Sequence, residues 1–116
     1  MFQIHDFTIP AANDPKNSNR VVIDDKLKTE YQGISGLTVW TPNYEDMRYI
    51  ELELKLNGKE IFPAGFPAEL YSVNQFRSTD NATLIVDFPE KSRIEGAITN
   101  NNPHEVEIQL IFFVKT

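Results

Sequence analysis

The chain has 116 residues, a formal net charge of -6 at pH 7 and no cysteine. Its length suits one domain, and 41% hydrophobic with 24% charged residues is ordinary for a globular protein, so we expect a single domain over residues 1–116. The lack of cysteine excludes disulfides, thiol catalysis and thiolate metal sites. The negative net charge argues against binding to nucleic acids and to anionic membrane surfaces, because Lys and Arg side chains provide the attraction to the phosphates of both.

The first residues contain neither the positive segment nor the apolar run of a secretory signal. They indicate a protein that is made in a cytoplasm without an export signal. No apolar run approaches the roughly 20 residues that cross a bilayer, so the sequence predicts no membrane partner.

The first half of the chain predicts three strands and a hairpin. Residues 2–9, 20–27 and 37–40 are rich in β-branched, aliphatic and aromatic residues, and residues 10–19 form a polar loop or arm between the first two strands. The clearest alternation covers residues 49–56. Asn57-Gly58 follows it directly and suits a type I′ turn, so residues 59–62 can return as the partner strand.

The second half predicts further strands at residues 69–76, 82–88, 93–99 and 105–115, separated by turn residues. The total is about eight strands, and no segment has a helical apolar stripe. The sequence therefore predicts an all-β fold, a single antiparallel β-sandwich, either a jelly roll or an immunoglobulin-like sandwich, with the jelly roll favoured.

The acidic and histidine residues do not form a convincing catalytic pattern. Glu51 and Glu53 are two apart on one strand face, and a glycosidase needs carboxyls on opposite sides of the bond, so a solvated face is the favoured interpretation. His5 and His104 are the only histidines. They could meet if the terminal strands pair, but two isolated histidines are weak grounds for a metal site.

Three other kinds of site are also disfavoured. The pairs Asp24-Asp25 and Asp80-Asn81 offer oxygen ligands for calcium, but turn formation is the favoured interpretation. The five glycines are scattered and provide no phosphate-binding loop, and the serines lack a nearby histidine. We predict no catalytic, cofactor-binding or metal-binding residues, no cofactor, and a protein that is not an enzyme.

Apolar residues in unusual positions indicate a contact surface instead. Ile111 and Phe113 place bulky groups on the second face of the last strand, which is either buried within the domain or covered by another subunit. The loops around Trp40 and Phe62 are aromatic and proline-containing, and they either close the core or contact a partner. The candidate interface residues are Trp40, Tyr44, Phe62, Phe66, Ile111 and Phe113.

The stretch ELELKLNGKEIFPAGF and the closing stretch IEGAITNNNPHEVEIQLIFFVKT together resemble small jelly-roll structural proteins of viruses and phages, over most of residues 32–116. The resemblance implies a non-catalytic structural protein of a virion, such as a capsid, vertex or spike component. It also implies a homo-oligomer, or contacts with other structural subunits. The alternative is a carbohydrate-binding β-sandwich module that stacks a glycan on Trp40, Tyr44 and Tyr49.

Overall fold

The computed structural model describes residues 1–74, 82–88 and 93–115 of the chain. The strands in these ranges are β1 (Phe2–Ile9), β2 (Arg20–Lys26), β3 (Gly33–Trp40), β4 (Ile50–Leu56), β5 (Lys59–Phe62), β6 (Leu84–Phe88), β7 (Arg93–Asn100) and β8 (Val106–Lys115). Two short 3-10 helices cover Tyr44–Tyr49 and Ala68–Tyr71.

The strands form two antiparallel sheets of four, with orders β1-β8-β3-β6 and β2-β7-β4-β5. The first strand pairs with the last, the second with the seventh, the third with the sixth, and the fourth with the fifth. This is one long hairpin folded over on itself, with β3–β8 and β4–β7 pairing added across the fold. It is the strand order of a jelly roll, so the predicted β-sandwich is confirmed.

The β4–β5 hairpin has the predicted turn chemistry. Asn57 and Gly58 both have positive φ, 53° and 78°, as a type I′ turn requires. The side chain of Asn57 also accepts a hydrogen bond from the Arg93 N–H at 2.8 Å. The turn is thereby attached to the start of β7, which pairs with β4 along its whole length.

The core lies between the two sheets and is filled by the inward residues of the alternating strands. Leu52 and Leu54 of β4 face it from one sheet, and Leu110 and Phe112 of β8 face it from the other; each is at most 1% exposed. Each such side chain contributes about 1.5–3 kcal/mol through burial. The apolar residues that the sequence placed on one face of β4 and of β8 are thus the residues that fill the core.

The segment predicted as a strand at residues 69–76 is different. Its start lies in the 3-10 helix Ala68–Tyr71, Ser72 makes a single bridge to Val39, and residues 75 and 76 lie outside the described ranges. Pro67 precedes the helix and accepts a hydrogen bond from the Leu70 N–H, which closes a turn. The prediction was wrong for residues 69–71 because this local turn, and aromatic packing described below, override β propensity.

Two predicted loops flank the same end of the sandwich. In the loop at residues 10–19, the Asp14 carboxylate accepts hydrogen bonds from the N–H groups of Lys16 and Asn17, at 2.8 and 3.0 Å, and these hold the pKa of Asp14 below its usual value. The Ala12 N–H donates to the Asn102 carbonyl of the β7–β8 loop at 2.9 Å. The first loop is therefore hydrogen-bonded to the body of the fold.

Asn100 organises the β7–β8 loop. It is fully buried, and its amide nitrogen donates to the carbonyls of Ile9, Pro10 and His104 at 2.9–3.2 Å. Its amide oxygen accepts from the backbone and side-chain nitrogens of Asn102, both at 2.9 Å. One side chain thus connects the end of β1, the β7–β8 loop and the approach to β8.

We expect Asn100→Ala to lower the free energy of unfolding by about 3 kcal/mol, because it leaves several buried polar groups without partners. The matched control is Asn101→Ala, whose side chain is exposed and whose backbone bond to Tyr49 the substitution retains. It should change stability by less than about 0.5 kcal/mol. Urea denaturation measures both, and equal effects would contradict the role of Asn100.

Candidate interaction surface

The outer side of the sheet β1-β8-β3-β6 carries a cluster of apolar side chains. Phe2 pairs with Phe113 and Ile4 pairs with Ile111, and residues paired across antiparallel strands share a face. Ile85 of β6 is on the same side, opposite Gly36. We call Phe2, Ile4, Ile85, Ile111 and Phe113 the apolar face.

Much of the apolar face is open to solvent. Phe2, Ile4 and Ile85 are 55%, 40% and 84% exposed, whereas Ile111 and Phe113 are half-buried. Soluble monomers seldom expose a contiguous cluster of this kind. The face is therefore the strongest candidate for a contact surface in the described part of the chain.

Gly36 shapes the middle of this face. A Cβ atom at Gly36 would lie 3.5 Å from the Phe113 ring and 3.0 Å from the Thr83 methyl group, so the glycine lets both approach β3. Beside it, the buried Thr38 hydroxyl lies 2.8 Å from the Tyr71 carbonyl and donates there. Among the described residues, the chain thus covers part of β3 itself and leaves Phe2 and Ile4 of β1 and Ile85 of β6 exposed.

The outer side of the other sheet is charged. Arg20 approaches Glu53 at 3.4 Å, and Arg93 approaches Asp24 at 3.2 Å, with Val22 as an exposed aliphatic group among them. Exposed ion pairs add little stability, but they are typical of a face that stays in water. The two outer sides of the sandwich are therefore chemically different.

Among the predicted interface residues, Ile111 and Phe113 are brought together on the apolar face. Trp40 ends β3 opposite Gln109, which places it on the same outer side, and it is half-buried. Tyr44 starts the first 3-10 helix and is also half-buried. Trp40 therefore lies at one end of the apolar face.

Phe62 and Phe66 belong to a different cluster. Their rings stack at 4.3 Å between centroids, and Tyr71 stacks on Phe62 at 5.6 Å. Phe62 is only 2% exposed, so its side chain is core within one chain and is not available as an interface group. Phe66 is half-buried against the core, so the structure gives no support for placing it beside Ile111 and Phe113.

The sequence analysis missed Phe2, Ile4 and Ile85. In β1 the apolar residues change face part-way along, since Phe2 and Ile4 point outward whereas Phe7 and Ile9 point towards the core. This change of parity is visible in the sequence and could have identified the outward pair. Ile85 could not have been found in this way, because its significance depends on the pairing of β6 with β3.

The two histidines lie apart. The terminal strands pair, as the metal hypothesis required, but His5 lies opposite Leu110, and His104 precedes β8. His5 contacts Asp25 at 2.8 Å and His104 contacts Asp46 at 2.9 Å. Within residues 1–74, 82–88 and 93–115, no group of three His, Cys, Asp or Glu side chains is arranged to hold a metal ion.

The carboxylate pairs are also separated or solvated. Glu51 and Glu53 project from the charged side of β4, where Glu53 is engaged by Arg20. Asp24 contacts Arg93 and Asp25 contacts His5, so these neighbouring carboxylates point to opposite sides of β2. The pair at residues 80 and 81 lies outside the described residues.

No protein-family model, curated protein or solved structure matches this chain. In the described ranges, no helix has the length and apolar character needed to cross a bilayer. A function must therefore be argued from the strand arrangement and from the contrast between the two outer faces.

We expect Phe62→Ala to lower the free energy of unfolding by about 4 kcal/mol, because it empties a core position. Ile85→Ala should change it by less than about 0.5 kcal/mol, because Ile85 is exposed in one chain. Denaturation at high dilution, where copies do not associate, measures both. A large loss for Ile85→Ala under these conditions would contradict the exposure of the apolar face.

Proposed function

We propose that the protein is a non-catalytic structural subunit that forms a symmetric assembly with copies of itself by burying the apolar face. The observation that carries the proposal is the exposed cluster of Phe2, Ile4 and Ile85 next to the half-buried Ile111 and Phe113. Covering such a cluster with a second subunit removes apolar area from water, which is the main favourable term in association.

The contrast between the two outer faces supports the same proposal. The sheet β2-β7-β4-β5 has the ion pairs Arg20–Glu53 and Arg93–Asp24 on its outer side. This outer side therefore carries the charged residues expected of a face that stays in water. The apolar face departs from this pattern on one side of the sandwich only, as expected for a surface that is covered in the assembled state.

The strand order supports a role as a building block of a virion, such as a capsid, vertex or spike component. The jelly-roll order agrees with the resemblance of the sequence to small structural proteins of viruses and phages. A fold hosts many functions, so this part of the proposal depends on the apolar face and not on the fold alone.

We expect the wild-type protein to elute as a closed oligomer in size-exclusion chromatography with light scattering, and the Phe113→Asp variant to elute as a smaller species. The carboxylate would have to be buried in the contact, which is strongly unfavourable. Since Phe113 is half-buried, Ile85→Asp provides a second test at a position that is 84% exposed. Circular dichroism verifies that both variants are folded.

The matched control is Val22→Asp, which places the same charge at a 63% exposed position on the charged face. It should leave the oligomer intact. A strictly monomeric wild-type protein at high concentration would refute self-assembly. Oligomers that keep the wild-type size in both Phe113→Asp and Ile85→Asp would show that the apolar face is not the contact.

A carbohydrate-binding module is the second candidate, and the 55% exposed Tyr49, which shares a short 3-10 helix with Tyr44, favours it. Trp40 ends a strand of one sheet and Tyr49 precedes a strand of the other, so the three aromatic residues do not share one strand face. We therefore place this function behind self-assembly.

Trp40 is the only tryptophan, so its fluorescence reports directly on this site. If self-assembly is the function, neutral oligosaccharides should leave the emission spectrum unchanged. A saturable shift that is lost in Tyr49→Ala would favour the carbohydrate-binding function instead. A solution of the free amino acid tryptophan controls for direct quenching by the sugar.

A further inference from the structure

β1 has an open edge whose hydrogen-bonding pattern can be derived. It lies at the end of the sheet β1-β8-β3-β6, so only one side of its backbone is paired with a strand. The Val114 N–H donates to the Met1 carbonyl at 3.1 Å, and Phe2 lies opposite Phe113. In an antiparallel pair the bonding side alternates from residue to residue, so the odd-numbered residues of β1 turn their N–H and C=O groups to β8.

The even-numbered residues turn theirs to the open edge. In the part of the chain that the structure describes, no backbone hydrogen bond outside the strand ladders reaches the N–H or C=O groups of Phe2, Ile4, Asp6 and Thr8. Such a row of unpaired groups is a template for another strand. The side chains of the same four residues point to the outer side of the sheet.

β1 lacks the charges that usually block an edge strand. Among the 8 residues of β1, Asp6 is the only one of the Asp, Glu, Lys and Arg type, and His5 is the only histidine. β2, the edge of the other sheet, has four charged residues among 7. β5 has two among 4, and β6 is only 5 residues long, with Asp87 bonded to Lys115. β1 is therefore the longest of these edges and the one with the lowest density of charge.

We propose that β1 pairs with β1 of a second copy, antiparallel about a two-fold axis, so that two four-stranded sheets join into one of eight strands. The inference rests on the self-assembly proposed above and identifies a contact through which it occurs. A two-fold axis uses the same surface twice, and an antiparallel edge strand is complementary to itself in this arrangement.

The edge groups select one register. When Phe2 lies opposite Thr8 of the second copy and Ile4 lies opposite Asp6, all four edge residues of each copy are paired. Shifting by two residues in one direction places Thr8 beyond the start of β1 in the second copy. Shifting in the other direction places Asp6 opposite Asp6, where like charges destabilise the pair. For a chain with a net charge of -6, the register that separates these carboxylates is favoured.

The pairing is continuous with the apolar face. Phe2 and Ile4 are members of that face and of the open edge, and they are 55% and 40% exposed. Strands joined edge to edge keep the outer sides of their sheets on the same side of the joined sheet. The two apolar faces would therefore lie side by side and present a larger surface for further copies.

Cysteine cross-linking tests this register, because the chain has no cysteine of its own. Ile4→Cys and Asp6→Cys are made as separate proteins, mixed in equal amounts and oxidised. We expect a covalent dimer in the mixture at a yield several-fold above that of either variant alone. Ile85→Cys, on the same outer side but on β6, gives the background from random collisions.

Equal yields in the mixture and in the single variants, or yields at the Ile85→Cys background, would overturn the proposal. This result is distinguishable from failure of self-assembly. If light scattering shows wild-type oligomers that Phe113→Asp disrupts, but the mixture gives only background, the apolar face stands and the β1 pairing does not. If Phe113→Asp retains both the cross-link and the wild-type oligomer size, the β1 pairing stands and the apolar face does not.

A proline substitution tests the same contact through the backbone. Asp6→Pro removes an N–H that points away from β8, so it should preserve the β1–β8 ladder and weaken association by about tenfold or more. Asp6→Ala is the matched control, since it removes the charge and keeps the N–H; it should associate at least as well as wild type. Equal association of the folded Pro and Ala variants would also overturn the proposal.

Discussion

The pairing of β8 with two strands at once is the constraint on which the sandwich depends. β8 lies between β1 and β3, and its inward residues from Val106 to Val114 fill the core over its whole length. Because these residues alternate strictly, a shift of one residue against either neighbour would turn the entire set towards water. The register of β8 therefore fixes which residues of β1 and β3 can point outward, and so determines the apolar face.

The two outer faces arise from two kinds of alternation. In β4 a charged residue follows each inward aliphatic one, so that side of the sheet is solvated. In β8 the outward positions begin with Glu107 and Gln109, continue with Ile111 and Phe113 and end with Lys115, so the strand is apolar on both sides only around residues 111–113. Ile111 and Phe113 are half-buried within one chain, and association would remove their remaining apolar surface from water.

Local patterns in the sequence predicted most strands and the Asn57-Gly58 turn, because both are determined by neighbouring residues. The same patterns failed at residues 69–71, where Pro67 and the stacking of Tyr71 on Phe62 produce a short helix. They also could not assign Phe62 to the core. The strand order depends on contacts between the two ends of the chain, and local sequence patterns cannot predict such contacts. The pairing of Phe2 with Phe113 is one of them.

Charge decides how such a chain can meet a copy of itself. With a net charge of -6, two copies repel each other unless their contact is poor in acidic groups. The apolar face and the open edge of β1 both satisfy this condition, and they share Phe2 and Ile4. A contact through β1 would therefore bury part of the apolar face and leave Ile85 and the centre of β8 for further subunits. In the proposed assembly, β1, whose apolar residues change face part-way along, would connect pair formation to larger assembly.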